Sequence, residues 1–195
     1  MKIGVLDIQG SVEEHLKLLS SLKEADLKVV RVKNVSDLEG LRGLIMPGGE
    51  STTISKLLDR FDLRKEIITR VKEGMALWGT CAGAILICRE IIGDSKVAPM
   101  NLIDIAVERN AYGRQMDSFE TQVEFDLGKG AMGRVVPAIC IRAPKLVMPG
   151  KNVKILATYD GEIMAVREGK VLATNFHPEL SEDLEVHRYF VEMCK

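Results

Sequence analysis

The sequence predicts an α/β fold: an open, mostly parallel sheet flanked by helices, with antiparallel additions in its second half. Two observations predict it. Through the first half, short apolar runs of strand length alternate with stretches of helical period, and such βαβα units need helices on both faces of a parallel sheet. In the second half the runs shorten and glycine-bearing turn signals separate them. The length of 195 residues allows one sizeable core, so residues 1–195 are expected to form a single domain.

The elements follow in order. KIGVLDI at 2–8 is a buried-type strand, and SVEEHLKLLSSLKEA at 11–25 is helical, with Val12, Leu16, Leu19 and Leu22 on one stripe. KVVRV is strand-like, and GLIMPGG is a short strand that ends in glycines. STTISKLLDRFDL and RKEIITRVKEG read as two helices, MALWGT as a strand and AGAILICREI as a further helix. Beyond these, VERNAYGRQMDSFETQVEF, AICIRAP, NVKILATYDGEIMAV and EGKVLATNF read as shorter strands. YDGEI and REGKV are hairpin signals. ELSEDLEVHRYFVEMC at 179–194 closes the chain as a helix.

Composition narrows the function. A net charge of −1, with charges of both signs interspersed, gives no electrostatic case for nucleic acid or an anionic membrane. The first apolar run spans only Ile3 to Leu6, too short for a signal-peptide core or a membrane span. The four cysteines show neither a C-x-x-C pair nor metal-ligand spacing, which predicts reduced thiols, a cytoplasmic location and no metal. No cofactor is expected.

One cysteine stands apart. In GTCAG, Gly79 precedes Cys81 by two positions and Gly83 follows it by two. A strand that turns abruptly into a helix strains its apex residue and leaves no room for side chains beside it, so small flanks are required. The apex sulfur is then exposed near the positive end of the helix, where an anionic nucleophile is favoured. Cys88, Cys140 and Cys194 lack such flanks and read as structural.

A nucleophilic thiol needs a base, and the chain holds three histidines. His15 and His187 lie within helical patterns and read as surface or packing residues. His177 follows the strand VLATNF and opens H-P-E. Pro178 biases His177 toward an extended conformation, in which residues two apart point the same way. Glu179 would then orient the imidazole opposite Cys81. In PGGEST, between a strand and a helix, the backbone N–H groups of Gly48 and Gly49 can join that of Ala82 in an oxyanion hole. Ser51 could equally be a helix N-cap.

Taken together, these segments resemble the class I, triad-type glutamine amidotransferases, a flavodoxin-like fold group. L-x-x-Q-G at 6–10, GTCAG and HPE carry the general likeness. PGGEST, VERN-x-x-GRQ-x-DSFE and IRAP point to the branch of glutaminase subunits that serve pyridoxal 5′-phosphate synthases. The resemblance implies hydrolysis of L-glutamine to glutamate and ammonia through a glutamyl thioester on Cys81. It implies glutamine contacts at Gly49, Glu50, Ser51, Arg109, Ile141 and Arg142. It also implies a partner, a (β/α)₈-barrel synthase subunit in a large hetero-oligomer, which receives the ammonia and meets Gln9 and Gly10. Asp7 departs from the apolar or small residue more usual there. The rival readings are a glutaminase of another pathway, a cysteine hydrolase acting on peptides or thioesters, and a non-catalytic module of the same fold.

Overall fold

A computed structural model of the chain describes residues 1–93, 96–109, 118–128 and 133–195. The first half runs β1 (Lys2–Leu6), α1 (Val12–Ser21), β2 (Lys28–Val32), β3 (Gly43–Met46), α2 (Ser51–Arg60), α3 (Leu63–Lys72), β4 (Ala76–Thr80) and α4 (Ala82–Ile87). The second half runs β5 (Cys88–Ile92), β6 (Ile103–Glu108), β7 (Ser118–Phe125), β8 (Arg134–Ile141), β9 (Lys145–Val147), β10 (Lys154–Tyr159), β11 (Glu162–Glu168), β12 (Val171–Thr174) and α5 (Glu185–Met193).

Among the described residues, ten strands form one sheet in the order β2-β1-β3-β4-β12-β11-β9-β6-β5, with β10 beside β11. The neighbours from β2 to β12 are parallel. β11 runs antiparallel to β12, β10 and β9, and β7 and β8 pair as a separate antiparallel ribbon. Both expected hairpins are present, turning at Asp160–Gly161 and Gly169–Lys170 between consecutive strands.

Strand alternation sorts the core onto two faces. Leu44, Met46 and Leu77 pack on one side with Leu58 and Ile67 of α2 and α3. Ile45, Ala76 and Trp78 pack on the other with Val12 and Leu19 of α1 and Phe190 and Val191 of α5. Each fully buried leucine, isoleucine, valine, methionine or phenylalanine among these contributes roughly 1.5–3 kcal/mol. Helices cover both sides of the parallel centre, which is why GLIM and ALWGT read as nearly unbroken apolar runs.

Three expectations are corrected. AGAILICREI is not one helix: α4 stops at Ile87, and Cys88–Ile92 becomes β5, pairing in parallel with β6. Available ladder bonds and the β-branched pair Ile91–Ile92 outweigh the helical spacing. The helix expected from residue 11 to 25 ends at Ser21, and Lys23 takes a φ of 49° that a helix cannot continue through. The C-terminal helix begins at Glu185 rather than at 179. Residues Pro178–Leu180 form a separate 3-10 turn, ended by an extended Ser181.

Candidate active site

Four adjacent parallel strands place the candidate residues at their C-terminal ends. β1 leads to Gln9 and Gly10, β3 to the PGGEST turn, β4 to Cys81 and β12 to His177. Thr80 and Thr174 are register partners, and the Cys81 N–H donates to the Thr174 carbonyl at 2.8 Å. Residues nearly a hundred positions apart therefore meet because β12 inserts beside β4. The His177 N–H is held by the Ile139 carbonyl of β8 at 2.7 Å.

Cys81 has φ 46° and ψ −101°, a conformation that costs a non-glycine residue on the order of 1–3 kcal/mol. That cost equals about one buried leucine, and the strand and helix that flank the elbow carry Trp78, Ala84 and Leu86, all fully buried. The flanking glycines have no alternative. A β-carbon on Gly79 would lie 2.6 Å from the Gly83 backbone, and one on Gly83 would lie 2.1 Å from the Met46 carbonyl oxygen. The small flanks expected of a nucleophile elbow are thus demanded by backbone contact.

The imidazole of His177 donates from Nδ1 to Glu179 Oε1 at 2.7 Å, which leaves Nε2 for Cys81, its other side-chain partner. Burial by itself would lower the His177 pKa. The hydrogen bonds and charges of Cys81 and Glu179 outweigh burial and raise it. Burial would raise the Glu179 pKa, but the His177 pair and a 2.6 Å hydrogen bond from the Ser11 hydroxyl keep it low and ionised. His15 would lower it further if charged, but burial lowers the His15 pKa and so disfavours that charge. The other cysteines differ in kind. Burial pushes Cys88, Cys140 and Cys194 up to about 12, which makes them poor nucleophiles at neutral pH.

Cys81 and His177 open onto a cleft of about 390 Å³. Its lining includes Gln9, Gly49, Glu50, Ser51, Ala82, Arg109, Ile141 and Arg142, so the structure gathers nearly every sequence-derived candidate into one site. Gly48 stands directly beside it: a β-carbon there would lie 2.3 Å from His177 Cε1 and 3.3 Å from Cys81 Cβ. The GRQ part of the VERN-x-x-GRQ motif, within 110–117, lies outside the described residues. A larger recess of about 800 Å³ elsewhere is lined by Arg134, Lys154, Arg167, Glu185 and Tyr189 among others. Among the described residues its lining holds no cysteine, serine or histidine.

The turn before α2 carries one reassignment. Its N-cap is Glu50, whose carboxylate accepts from the Thr52 and Thr53 N–H groups at 3.0 and 2.6 Å, while Ser51 is the first helical residue. The Thr53 hydroxyl and these N–H groups hold the Glu50 pKa down to about 2. Gln9 and Gly10 grip the same turn. The Glu50 N–H donates to Gln9 Oε1 at 2.8 Å, and the Ser11 N–H donates to the Gly48 carbonyl at 3.1 Å. Gly10 has φ 117°, and a β-carbon there would lie 2.0 Å from the Gly48 oxygen, so only glycine fits. Because the peptide is planar and trans, the Gly49 N–H points opposite to that engaged carbonyl.

Sequence reasoning assigns no role to Ser11, and it reads His15 and His187 as surface or packing residues. His15 sits three residues after Val12 and four before Leu19, on the buried stripe of α1, and that spacing was the available signal. Both histidines are fully buried. Among the described residues, no group of three metal-ligating side chains clusters, and no helix is long and apolar enough to cross a membrane.

Comparison with known proteins places this site in context. Residues 5–195 match the model of the SNO glutamine amidotransferase family. The chain is 50% identical to "Pyridoxal 5'-phosphate synthase subunit PdxT" of Dehalococcoides mccartyi, with 100% of this chain and 98% of that one covered. A crystal structure titled as a glutamine amidotransferase superposes with a TM-score of 0.89 at 44% identity, covering 98% of both chains. A structure of PurLQS from Thermotoga maritima shares the fold at TM-score 0.71 and 15% identity, covering 100% of this chain and 99% of that one.

Proposed function

The chain belongs to the SNO glutamine amidotransferase family, and from that premise we propose that it is the glutaminase subunit of a pyridoxal 5′-phosphate synthase, working through Cys81, His177 and Glu179. One observation supports this above the others. A strained, glycine-flanked cysteine and a carboxylate-anchored histidine stand at adjacent strand ends in one cleft.

In this reading the Cys81 sulfur attacks the side-chain amide carbon of glutamine while His177 Nε2 takes the thiol proton. The negative charge passes to the amide oxygen, where the N–H groups of Ala82 and of the Gly48–Gly49 segment receive it. Collapse breaks the C–N bond, and His177 gives its proton to the departing ammonia. Water, deprotonated by His177, then attacks the glutamyl thioester, and the thiol leaves with glutamate formed. Glu179 keeps Nδ1 protonated and the ring in place throughout. Gly49, Glu50, Ser51 and Ile141 would contact the glutamine, and Arg109 and Arg142 would meet its α-carboxylate. The ammonia would pass to a synthase subunit docked near Gln9 and Gly10, in the cytoplasm.

Two tests belong to this reading. Arg109→Ala and Arg142→Ala are expected chiefly to raise KM for glutamine. A charge-assisted pair to a carboxylate is worth roughly 1.5–3 kcal/mol, or about 10–150-fold. Unchanged saturation curves in both variants would place the α-carboxylate elsewhere.

The isolated chain is also expected to hydrolyse glutamine poorly and to be activated by the synthase subunit. The grip of residues 9–11 on the PGGEST turn supports this, because docking at Gln9 and Gly10 would act directly on the peptide that supplies an oxyanion donor. One missing donor costs about 10²–10³ in rate. The check is a titration of the synthase into a glutamine hydrolysis assay, and full activity of the isolated chain would disprove activation.

A further inference from the structure

The triad leaves a second set of buried polar side chains behind Glu179. Oε1 of Glu179 accepts from both His177 Nδ1 and the Ser11 hydroxyl. Oε2 is buried and makes no full hydrogen bond among the described residues. Nε2 of His15 stands 3.5 Å from Oε2 and 3.4 Å from the Thr80 hydroxyl. Nδ1 of His15 lies 2.9 Å from Nε2 of His187, on α5. Both rings pack edge-on against Trp78 at centroid distances of 5.4 and 4.9 Å.

The tautomers can be worked out from these contacts. Among the described residues, Nδ1 of His187 is buried without a hydrogen-bond partner. A bare acceptor is more readily tolerated than a bare N–H, so His187 carries its proton on Nε2 and donates to His15 Nδ1. His15 then carries its own proton on Nε2, which is hydrogen-bonded to the Thr80 hydroxyl and lies 3.5 Å from Glu179 Oε2. The ionisable groups that face His15 are Glu179, His177, Glu14 on its own helix, and His187. Packing alone would favour an apolar residue between Val12 and Leu19, because two buried imidazoles lose hydration for few hydrogen bonds.

We propose that His15, oriented by His187, is a positioning residue for the proposed triad: its neutral Nε2–H holds Oε2 so that Oε1 stays on His177. This rests on the reading of Cys81, His177 and Glu179 as the triad. A carboxylate whose second oxygen is free can rotate about its terminal bond, and rotation would carry Oε1 away from Nδ1 and swing the imidazole from Cys81. His15 does not line the cleft, so its effect falls on turnover rather than on glutamine affinity.

Glutamine hydrolysis by the chain with its synthase partner tests this with two substitutions. His15→Leu keeps most of the volume and removes the donor, whereas His15→Gln returns an amide N–H near the Nε2 position. The expected result is a fall in kcat of about tenfold for His15→Leu at unchanged KM, with most of it restored in His15→Gln. Equal losses in both variants would mean that His15 only fills space, and wild-type kcat in His15→Leu would mean that it does nothing. Either result overturns the proposal. Nitrogen-15 NMR of the histidines in the wild-type chain decides independently of folding in the variants and of the glutaminase reading. His15 should remain a neutral Nε2–H tautomer between roughly pH 6 and 8. An Nδ1–H tautomer, or a protonated ring at neutral pH, would also overturn it.

Discussion

Cys81→Ser is expected to abolish ammonia release from glutamine, a loss on the order of 10⁴–10⁶-fold as for other nucleophiles that act as part of a triad. The substitution barely changes shape, so the elbow and its glycine contacts should survive. What changes is the attacking atom. A serine hydroxyl is a far weaker nucleophile than a thiol paired with an imidazole, and its shorter bond to the β-carbon draws the oxygen back from the substrate. A glutamine-like alkylating analogue should label the wild-type chain at Cys81 alone. Cys81 is 8% exposed and lines the cleft, whereas Cys88, Cys140 and Cys194 are at most 1% exposed, do not line it and have thiols pushed up to about 12, so they should stay unmodified. Labelling at Cys88 or Cys140 in place of Cys81 would remove the basis for the mechanism.

His177→Asn is expected to lower kcat by about 10³-fold or more. The asparagine side chain can still face Glu179, but nothing then accepts the thiol proton or returns it to the departing ammonia. Glu179→Gln should cost less than Cys81→Ser, because Glu179 orients the ring and does not itself exchange the proton. The comparison is informative in both directions. Were Glu179→Gln as damaging as Cys81→Ser, orientation would be too small a role for this carboxylate. The buried network around it, with Ser11 and His177 both donating to Oε1, would then have to be treated as one unit.

Local chemistry made the candidate site legible. GTCAG announced its backbone geometry because no side chain fits where Gly79 and Gly83 approach Gly83 and Met46 backbone atoms. H-P-E placed a carboxylate two residues from an imidazole, and the resulting 2.7 Å contact spans only that tripeptide, although a 3-10 turn rather than the expected extended chain makes it. The apolar runs of β1, β3 and β4 likewise marked a buried parallel centre. Where two structures competed for the same residues, the sequence misled. CREII has helical spacing after AGAIL, yet β6 offers it a ladder, so it became β5. Glu50 rather than Ser51 caps α2 because its longer side chain reaches two N–H groups of the first turn.

By itself, then, the sequence determined the α/β alternation, the strained cysteine, the histidine–glutamate pair and the glycines of the PGGEST turn, since each depends on residues within a few positions of one another. Only the tertiary structure decided that β12 lies beside β4, which brings Cys81 and His177 together across nearly a hundred residues. It also decided between the surface and packing readings of His15 and His187, which are core residues behind Glu179. The physical reason is that backbone strain and short-range hydrogen bonds are encoded locally, whereas strand order and the burial of a polar side chain depend on which distant element packs against it.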